Sequence, residues 1–360
     1  MKKVLKFLPL ALLLVALLAL SACGRGDDYD FRIALLGHSP ESILDDGSFN
    51  EGAWNGILQF VESQGLSEGQ IDFFLPHAAD DVVRIEMIEE IVNEWGADII
   101  VMPGFHFVNS LYDAQDMFPD TRFVLLDATP AREGTARVEQ NVVSIHYAEH
   151  ESGFLAGYAA VMEGYRNLGF TGGGYIPPVQ RFGNGFIQGA DHAAAQLGLE
   201  YGEVTIRFTY FMAFAPQPEF AVTAASWFET GTEVIFTAAG GANFNVFSAA
   251  EGAGRSTIGV DVDQSGESPT VITSAMKGLA PSVYAMLNDH VNDTWRGGQV
   301  LTFDAAVNGV GLPMGSSRMQ NFTQAQYDAI FAQVASGAVR VNGSTNRTDI
   351  VTNLVVVDAQ

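Results

Sequence analysis

The sequence predicts an α/β protein made of two similar lobes, each built on a parallel sheet. Two observations support this prediction. Short β-branched runs alternate with segments of helical spacing, which is the pattern of βαβ units. The same alternation starts again near Ser152, and a chain of 360 residues is long enough for two domains.

The first lobe is predicted to contain five strands separated by helices. The strands cover residues 31–36, 71–75, 98–102, 122–126 and 142–145, and the helices cover 53–64, 81–95 and 110–117. Gly96 ends the second helix, because glycine readily takes the left-handed backbone found at helix C-termini. Residues 46–51 are rich in Asp, Gly, Ser and Asn, so a turn and cap region is predicted there.

The second lobe repeats this alternation. Its predicted strands cover residues 167–170, 204–209, 234–237, 257–260 and 271–274, and its helices include 152–162 and 185–197. Two later helices are predicted at residues 281–291 and 323–336. No low-complexity linker separates the lobes.

We expect the chain to cross between the lobes near Tyr147, Ser274 and Asp304. The predicted N-terminal lobe is then residues 31–147 plus 275–304, and the C-terminal lobe is residues 148–274 plus 305–360. Three parallel hinge crossings would allow the lobes to close around a cleft.

The first 22 residues have the pattern of a lipoprotein signal peptide. Lys2 and Lys3 precede the uncharged run 7–20, which is too short for a comfortable membrane span. Cys23, the single cysteine of the chain, follows small residues at the expected cleavage point. Lipidation of Cys23 would anchor the protein to a membrane, with residues 23–30 as a tether. An ordinary signal peptide or a spanning anchor is the alternative.

Charge and cysteine content exclude several classes of protein. The formal net charge is −24 at pH 7, which would repel nucleic-acid backbones and anionic lipid surfaces. A single cysteine permits no disulfide within the chain. The fold must therefore be held by its core, and no nucleic-acid partner is expected.

Two strand-like runs in the second half each end in a charged residue. Residues 258–264 read IGVDVDQ and include Asp261, and residues 271–277 read VITSAMK and end at Lys277. Open α/β sheets place ligand groups at such strand ends. Of the 18 Lys and Arg residues only four are lysines, and three of those lie in the signal peptide. A compact ammonium fits a small polar site that a guanidinium would overfill, so Lys277 is predicted to bind ligand.

Residues 45–56 read DDGSFNEGAWNG and contain an Asp-x-Ser-Phe-Asn signature. With it the chain resembles the basic membrane protein (Bmp) family, the PnrA-type purine-nucleoside-binding lipoproteins of ABC transporters. Further matching segments follow in the same order over essentially the whole mature chain, at residues 123–127, 151–158, 169–173, 185–186, 234–241, 259–264 and 273–277.

The resemblance implies a type I periplasmic-binding-protein fold, two Rossmann-like lobes with a purine nucleoside between them. It also implies a lipid-anchored protein on the extracytoplasmic face of the cell membrane, with an ABC transporter permease as its partner. Guanosine, inosine and adenosine are the expected ligands, and no cofactor is expected.

Eight ligand-binding positions follow from the matching motifs: Asp46, Phe49, Asn50, Asp127, Phe214, Gly241, Asp261 and Lys277. The resemblance implies that Phe49 stacks on one face of the base, and that a second aromatic from residues 211–214 stacks on the other. We prefer Phe214 for that second position, with Phe211 as the alternative. Stacking on an aromatic side chain contributes roughly 1–3 kcal/mol per base.

The polar positions are assigned by the same resemblance. Asn50 and Asp127 are expected to hydrogen-bond the edges of the base. Asp261 and Lys277 are expected to hold the ribose hydroxyls, since one carboxylate can accept from both hydroxyls of a diol. Gly241 is expected to let the backbone approach the ligand.

Two sequence features could indicate other functions, namely a metal site or an enzyme. Residues 146–150 spell H-x-x-E-H, a zinc-protease string, but we expect its histidines to straddle a strand–helix junction rather than share a helix face. The carboxylates of Asp261 and Asp263 are too few for a dedicated metal site. No nucleophile–base pair is evident, so we expect neither metal nor enzymatic activity. A sugar-binding or sensory receptor on the same fold is the alternative function.

Overall fold

A computed structural model of the chain describes residues 31–359. The predicted signal peptide 1–22, the lipidation site Cys23 and the tether 23–30 lie outside those residues. Within the described part, no helix combines the length and apolar character that crossing a bilayer requires.

The first sheet has six parallel strands, and each is a short, mostly apolar run. They are β1 (Ile33–Leu36), β2 (Ile71–Phe74), β3 (Ile99–Pro103), β4 (Arg122–Leu126), β7 (Val142–Tyr147) and β13 (Gln299–Phe303). Their order in the sheet is β13-β7-β4-β3-β1-β2. β1 and β3 are buried along their whole length, as expected where helices cover both faces of a parallel sheet.

Four helices belong with this sheet. They are α1 (Phe49–Gln64), α2 (Asp81–Glu90), α3 (Val108–Met117) and α8 (Leu279–Val291). A π-helical turn, Ile91–Trp95, continues α2 and ends at Gly96. α8 comes late in the chain and packs against α1. A short antiparallel hairpin, β5 (Ala131–Arg132) with β6 (Thr135–Ala136), lies between β4 and β7 in the sequence.

The second sheet has seven strands. They are β8 (Asn167–Gly172), β9 (Val204–Tyr210), β10 (Val234–Ala238), β11 (Ser256–Asp261), β12 (Val271–Lys277), β14 (Val310–Gly311) and β15 (Val355–Ala359). Their order is β14-β12-β11-β10-β8-β9-β15, and only β14 is antiparallel to its neighbour. The helices of this half are α4 (Glu149–Glu163), α5 (Pro177–Leu197), α6 (Pro218–Glu229), α7 (Asn243–Ala253) and α9 (Gln324–Ala335).

Within residues 31–359 the chain passes between the two sheets three times, after β7, after β12 and after β13. The crossing predicted at Ser274 lies further along the chain. β12 stays paired with β11 through Met276 and with β14 through Lys277, so the chain leaves the second sheet only at Gly278. The β-branched run ends at Thr273, but hydrogen bonding to β11 extends the strand beyond it. We propose the predicted division into lobes with this one boundary moved to Gly278.

Two helices begin four or more residues earlier than predicted. α1 starts at Phe49 rather than at residue 53, because the Asp46 carboxylate accepts the backbone N–H groups of Ser48, Asn50 and Glu51 at 2.9–3.2 Å. α5 starts at Pro177 rather than at residue 185. Proline is favourable in a first helical turn, where its missing N–H has no partner to lose.

Strand β15 was not predicted. It pairs in parallel with β9 at the edge of the second sheet, and β9 lies far earlier in the chain. Nothing near residues 355–359 indicates that partner, so a local pattern could not reveal it.

Helices α4 and α5 approach each other very closely through glycines. A Cβ atom added at Gly157 would lie 2.0 Å from the carbonyl oxygen of Phe186, and one added at Gly189 would lie 1.9 Å from that of Phe154. Both distances are far below van der Waals contact. These two helices also carry Glu149 and Arg181, so their packing fixes side chains behind the interlobe cavity described next.

Candidate ligand-binding site

A cavity of about 300 Å³ opens between the two sheets, where strands of both end. This volume is at the lower end of the range for small-molecule sites. All eight ligand-binding residues predicted from the sequence line it, namely Asp46, Phe49, Asn50, Asp127, Phe214, Gly241, Asp261 and Lys277. The carboxyl ends of strands in open α/β sheets are the usual place for a ligand.

One end of the cavity is a charged cluster around Lys277. The Lys277 ammonium donates to Asp127 Oδ2 at 2.5 Å, and lies 3.5 Å from Asp261 Oδ1 and 3.8 Å from Glu149 Oε1. Arg181 Nε donates to the other Glu149 oxygen at 3.1 Å. Asp127 follows a strand of the first sheet, whereas Asp261 and Lys277 end strands of the second. The cluster therefore joins the lobes near the crossings.

Burial and charge act against each other in this cluster. Lys277 is only 5% exposed. Burial disfavours its charge, but attraction to Asp127, Asp261 and Glu149 outweighs burial and raises the pKa of Lys277. Burial raises the pKa of Asp261 despite the nearby ammonium. Lys277 therefore keeps its positive charge. Burial instead makes the Asp261 carboxyl harder to ionise.

The two aspartates adopt a backbone conformation that few non-glycine residues take. Asp127 has φ 60° and Asp261 has φ 66°, both in the left-handed region. Each residue comes at the end of a strand, one in each sheet. Aspartate tolerates this region better than most residues, and such strained positions are concentrated at functional sites.

One oxygen of the cluster has no partner. Asp127 Oδ1 is buried and makes no hydrogen bond within residues 31–359. A buried polar atom without a partner costs about 1–3 kcal/mol. Asp127 therefore has a free acceptor beside the Lys277 ammonium, in a residue that lines the cavity.

Aromatic side chains from both lobes reach the cavity. Phe49 lies at the start of α1, and its ring centroid is 4.9 Å from the Lys277 ammonium. Phe214 lines the cavity and is 38% exposed. Phe211, the alternative, instead stacks on Phe220 at 4.2 Å. The Phe214 ring lies against Gly173, where a Cβ atom would be 2.5 Å from the ring, so glycine is needed there.

Three predicted residues have local roles as well. Asp46 caps α1, and burial raises its pKa to about 6. Asn50 donates from Nδ2 to the Ile43 carbonyl at 2.9 Å, which uses one of its donors within the first lobe. Gly241 lines the cavity, and its close approach to a ligand stays a prediction. A Cβ atom there would lie 3.5 Å from Phe214 O, an ordinary contact, and the left-handed residue of this turn is Gly240.

Several residues of the site were not predicted. Ser48 Oγ donates to Asp261 Oδ2 at 2.7 Å, and Gln264 Nε2 donates to the Gly47 carbonyl at 2.7 Å. Both bonds cross between the lobes. Phe182 of α5 lies 5.3 Å from the Lys277 ammonium and is almost fully buried. Ser48 and Gln264 belong to the segments quoted for the resemblance, which was the only available signal for them.

Glu149 was considered only as part of the H-x-x-E-H string. As predicted, that string is split, because His146 is in β7 and His150 is in α4. His146 Nε2 lies 2.8 Å from Thr129 Oγ1. Residues 31–359 contain no group of three or more His, Cys, Asp or Glu side chains arranged to hold a metal ion. Glu149 is instead a buried member of the Lys277 cluster.

Glu149 gives a pH-dependent contribution to stability. Burial raises its pKa to about 7, so the folded state binds this proton more tightly than the unfolded state does. Its contribution is complete below about pH 4.5 and is lost as the pH rises through about 7. One pKa unit corresponds to about 1.4 kcal/mol, so wild type should lose on the order of 1–3 kcal/mol between pH 5 and 8 from this residue.

Glu149→Gln should therefore show a smaller loss of stability between pH 5 and 8 than wild type in urea unfolding. Glu62→Gln, at an exposed position of α1, is the control and should behave like wild type. An equal loss in wild type and Glu149→Gln would show that Glu149 does not titrate in this range.

Two α/β lobes joined by three crossings around a cavity define the type I periplasmic binding proteins. An ABC transporter solute-binding protein from Conexibacter woesei has the same fold, with a TM-score of 0.69 at 21% identity, covering 87% of this chain and 99% of that one. The chain belongs to the Bmp family, described as ABC transporter substrate-binding protein PnrA-like, whose model matches residues 35–344. The resemblance in the motifs is thereby confirmed.

Two relatives illustrate the range of the family. The ABC transporter nucleoside-binding protein BmpA of Lactococcus lactis is 25% identical over 294 residues, which cover 76% of this chain and 79% of that protein. An uncharacterized lipoprotein of Pyrococcus abyssi is 27% identical over 277 residues, or 74% of this chain. This chain spans 65% of the length of that archaeal relative.

Proposed function

We propose that the protein binds purine nucleosides in the interlobe cavity and delivers them to an ABC importer. The observation that carries this proposal is the unpartnered Asp127 Oδ1, buried beside Lys277 in a cavity that also has phenylalanines from both lobes. A nucleoside has a polar diol at one end and a flat base at the other. The name of the Lactococcus relative supports the same class of ligand.

The ribose is assigned to the charged end. A ribose diol supplies two hydroxyl donors, and Asp127 and Asp261 supply acceptors there. Lys277 attracts both carboxylates and can itself donate to a ribose oxygen. The sequence had assigned Asp127 to the base. Its 2.5 Å bond to Lys277 supports an assignment to the ribose instead, since Lys277 is expected to hold the ribose hydroxyls.

The base is assigned to the aromatic part of the cavity, between Phe49 and Phe214. A base offers a flat face to each ring, and stacking contributes roughly 1–3 kcal/mol per base. A pentose alone would fill the charged end but would leave these rings without a flat partner. This is why we favour a nucleoside over the alternative, a sugar or polyol.

We propose further that Cys23 carries lipid and holds the protein on the extracytoplasmic face of the cell membrane. The signal pattern of residues 1–22 supports this, and the Pyrococcus relative is named a lipoprotein. A tethered receptor stays close to the permease that takes up its ligand. No enzymatic step is part of the proposal.

The test is calorimetric titration of protein stripped of ligand by unfolding and refolding. Inosine is expected to bind, and its halves, hypoxanthine and ribose, are expected to bind at least a hundredfold more weakly, because each engages only one end of the cavity. Binding of ribose without binding of any nucleoside would replace this proposal with the sugar receptor.

A further inference from the structure

Two histidines form a stacked pair in the wall of the cavity. The ring centroids of His38 and His106 are 4.1 Å apart, and their planes are inclined by only 9°. Both residues line the cavity. Neither was selected from the sequence, because the two lie in different loops, after β1 and after β3.

The pair lies away from the charged cluster. Asp127 follows β4, His106 follows β3 and His38 follows β1, and these strands are neighbours in that order. Adjacent strands are about 4.8 Å apart. His38 is therefore about 10 Å from Asp127 along the edge of the sheet, on the side away from the crossings. A ligand with its ribose at Lys277 would extend its base towards this pair.

Both rings are neutral at neutral pH. Burial, helped by the nearby Arg84 cation, lowers the pKa of His38 to about 4. Burial, His38 and Arg84 likewise lower the pKa of His106 to about 4, with a small opposing effect from Asp81. Two neutral imidazoles can stack without charge repulsion. Each then has one N–H donor and one acceptor nitrogen.

Ser42 contacts one ring nitrogen of His38. Ser42 Oγ accepts the backbone N–H of Ser39 at 3.2 Å and lies 3.1 Å from His38 Nδ1. Ser42 Oγ also lies 3.4 Å from Ser39 Oγ. The tautomer in which Ser42 donates to Nδ1 carries the imidazole proton on Nε2. His38 Nε2 has no hydrogen-bond partner among residues 31–359, so in that tautomer its N–H is available to a ligand.

We propose that His38 takes the tautomer protonated at Nε2, and that the His38–His106 pair recognises the polar edge of the base and makes the protein prefer 6-oxopurine nucleosides, inosine and guanosine, over adenosine. The inference rests on the proposed function, since it concerns the base end of the same cavity. A 6-oxopurine presents O6 and N7, which both accept hydrogen bonds. Adenine presents an amino group in place of O6, and two donors would then face each other.

The test is calorimetric titration of inosine and adenosine into wild type and His38→Phe. Phenylalanine keeps a ring to stack on His106 but removes the donor. Wild type should bind inosine at least about tenfold more tightly than adenosine. Inosine accepts a hydrogen bond from His38, whereas adenosine leaves that donor unpaired. In His38→Phe the ratio should fall to about one, mainly through weaker binding of inosine.

Two further variants complete the design. Ser42→Ala, which releases Nδ1, should reduce the ratio in part. His77→Phe, at an exposed position after β2, should keep the ratio of wild type. Nucleoside binding with the same ratio in wild type and His38→Phe would overturn the inference and leave the proposed function standing. If wild type bound no nucleoside, the proposed function would fail and the inference with it.

Discussion

Replacing Lys277 by methionine is expected to abolish measurable nucleoside binding and to destabilise the unliganded protein. Methionine fills a similar volume but leaves Asp127, Asp261 and Glu149 without the cation at their centre. Removing one partner of a buried ion pair typically costs about 3–5 kcal/mol. Binding should weaken by at least a hundredfold, because a charge-assisted hydrogen bond of roughly 1.5–3 kcal/mol is lost and Asp261 loses the cation that favours its ionised form.

Lys277→Arg separates the two effects. The guanidinium keeps the positive charge, so most of the stability should remain, but its planar shape does not fit the space of an ammonium. Inosine binding should weaken by roughly tenfold to a hundredfold. The measurements are urea unfolding without ligand and calorimetry with inosine. Wild-type affinity in both Lys277 variants would remove this residue from the site.

Gly157→Ala is expected to cause the largest loss of stability among single-methyl additions in α4. The new Cβ atom would lie 2.0 Å from the Phe186 carbonyl oxygen. A backbone atom cannot move aside as a side chain can, so α4 and α5 must separate. Overpacking of this kind costs about 1–3 kcal/mol and sometimes more. Because α4 and α5 carry Glu149 and Arg181, inosine binding should weaken as well.

The matched control is Gly252→Ala, an exposed position inside α7 with open space around its Cβ direction. There the same substitution should stabilise the protein by about 0.5–1 kcal/mol, because alanine is the better helix former. Urea unfolding of both variants measures the difference. If Gly157→Ala were as stable as wild type, the close approach of α4 and α5 would be incorrect.

The alternation of strands and helices was enough to predict both lobes. The runs at residues 33–36, 99–103 and 123–126 are apolar along their length, and local pattern shows this directly. The ends of individual helices and strands were harder to predict from the sequence. The start of α1 depends on a carboxylate outside the helix, and the end of β12 depends on its pairing with β11 and β14.

The eight residues predicted from the motifs all line the cavity, but their arrangement was not predicted. Lys277 was singled out by its rarity, and Asp127 and Asp261 by their motifs. That all three are in one cluster depends on two lobes meeting, which no local pattern encodes. The same is true of His38 and His106, whose stacking brings together two loops of one sheet. Glu149 was not predicted to join this cluster, because it was interpreted only as part of the H-x-x-E-H string.

The most direct test of the account is to extend the calorimetric titration to 2′-deoxyinosine. If the ribose diol is held by Asp127 and Asp261 beside Lys277, removing the 2′-hydroxyl should weaken binding about tenfold to a hundredfold relative to inosine. Lys277→Arg should show a smaller difference between the two ligands than wild type. Equal affinity of wild type for inosine and 2′-deoxyinosine would contradict the assignment of the charged cluster to the ribose.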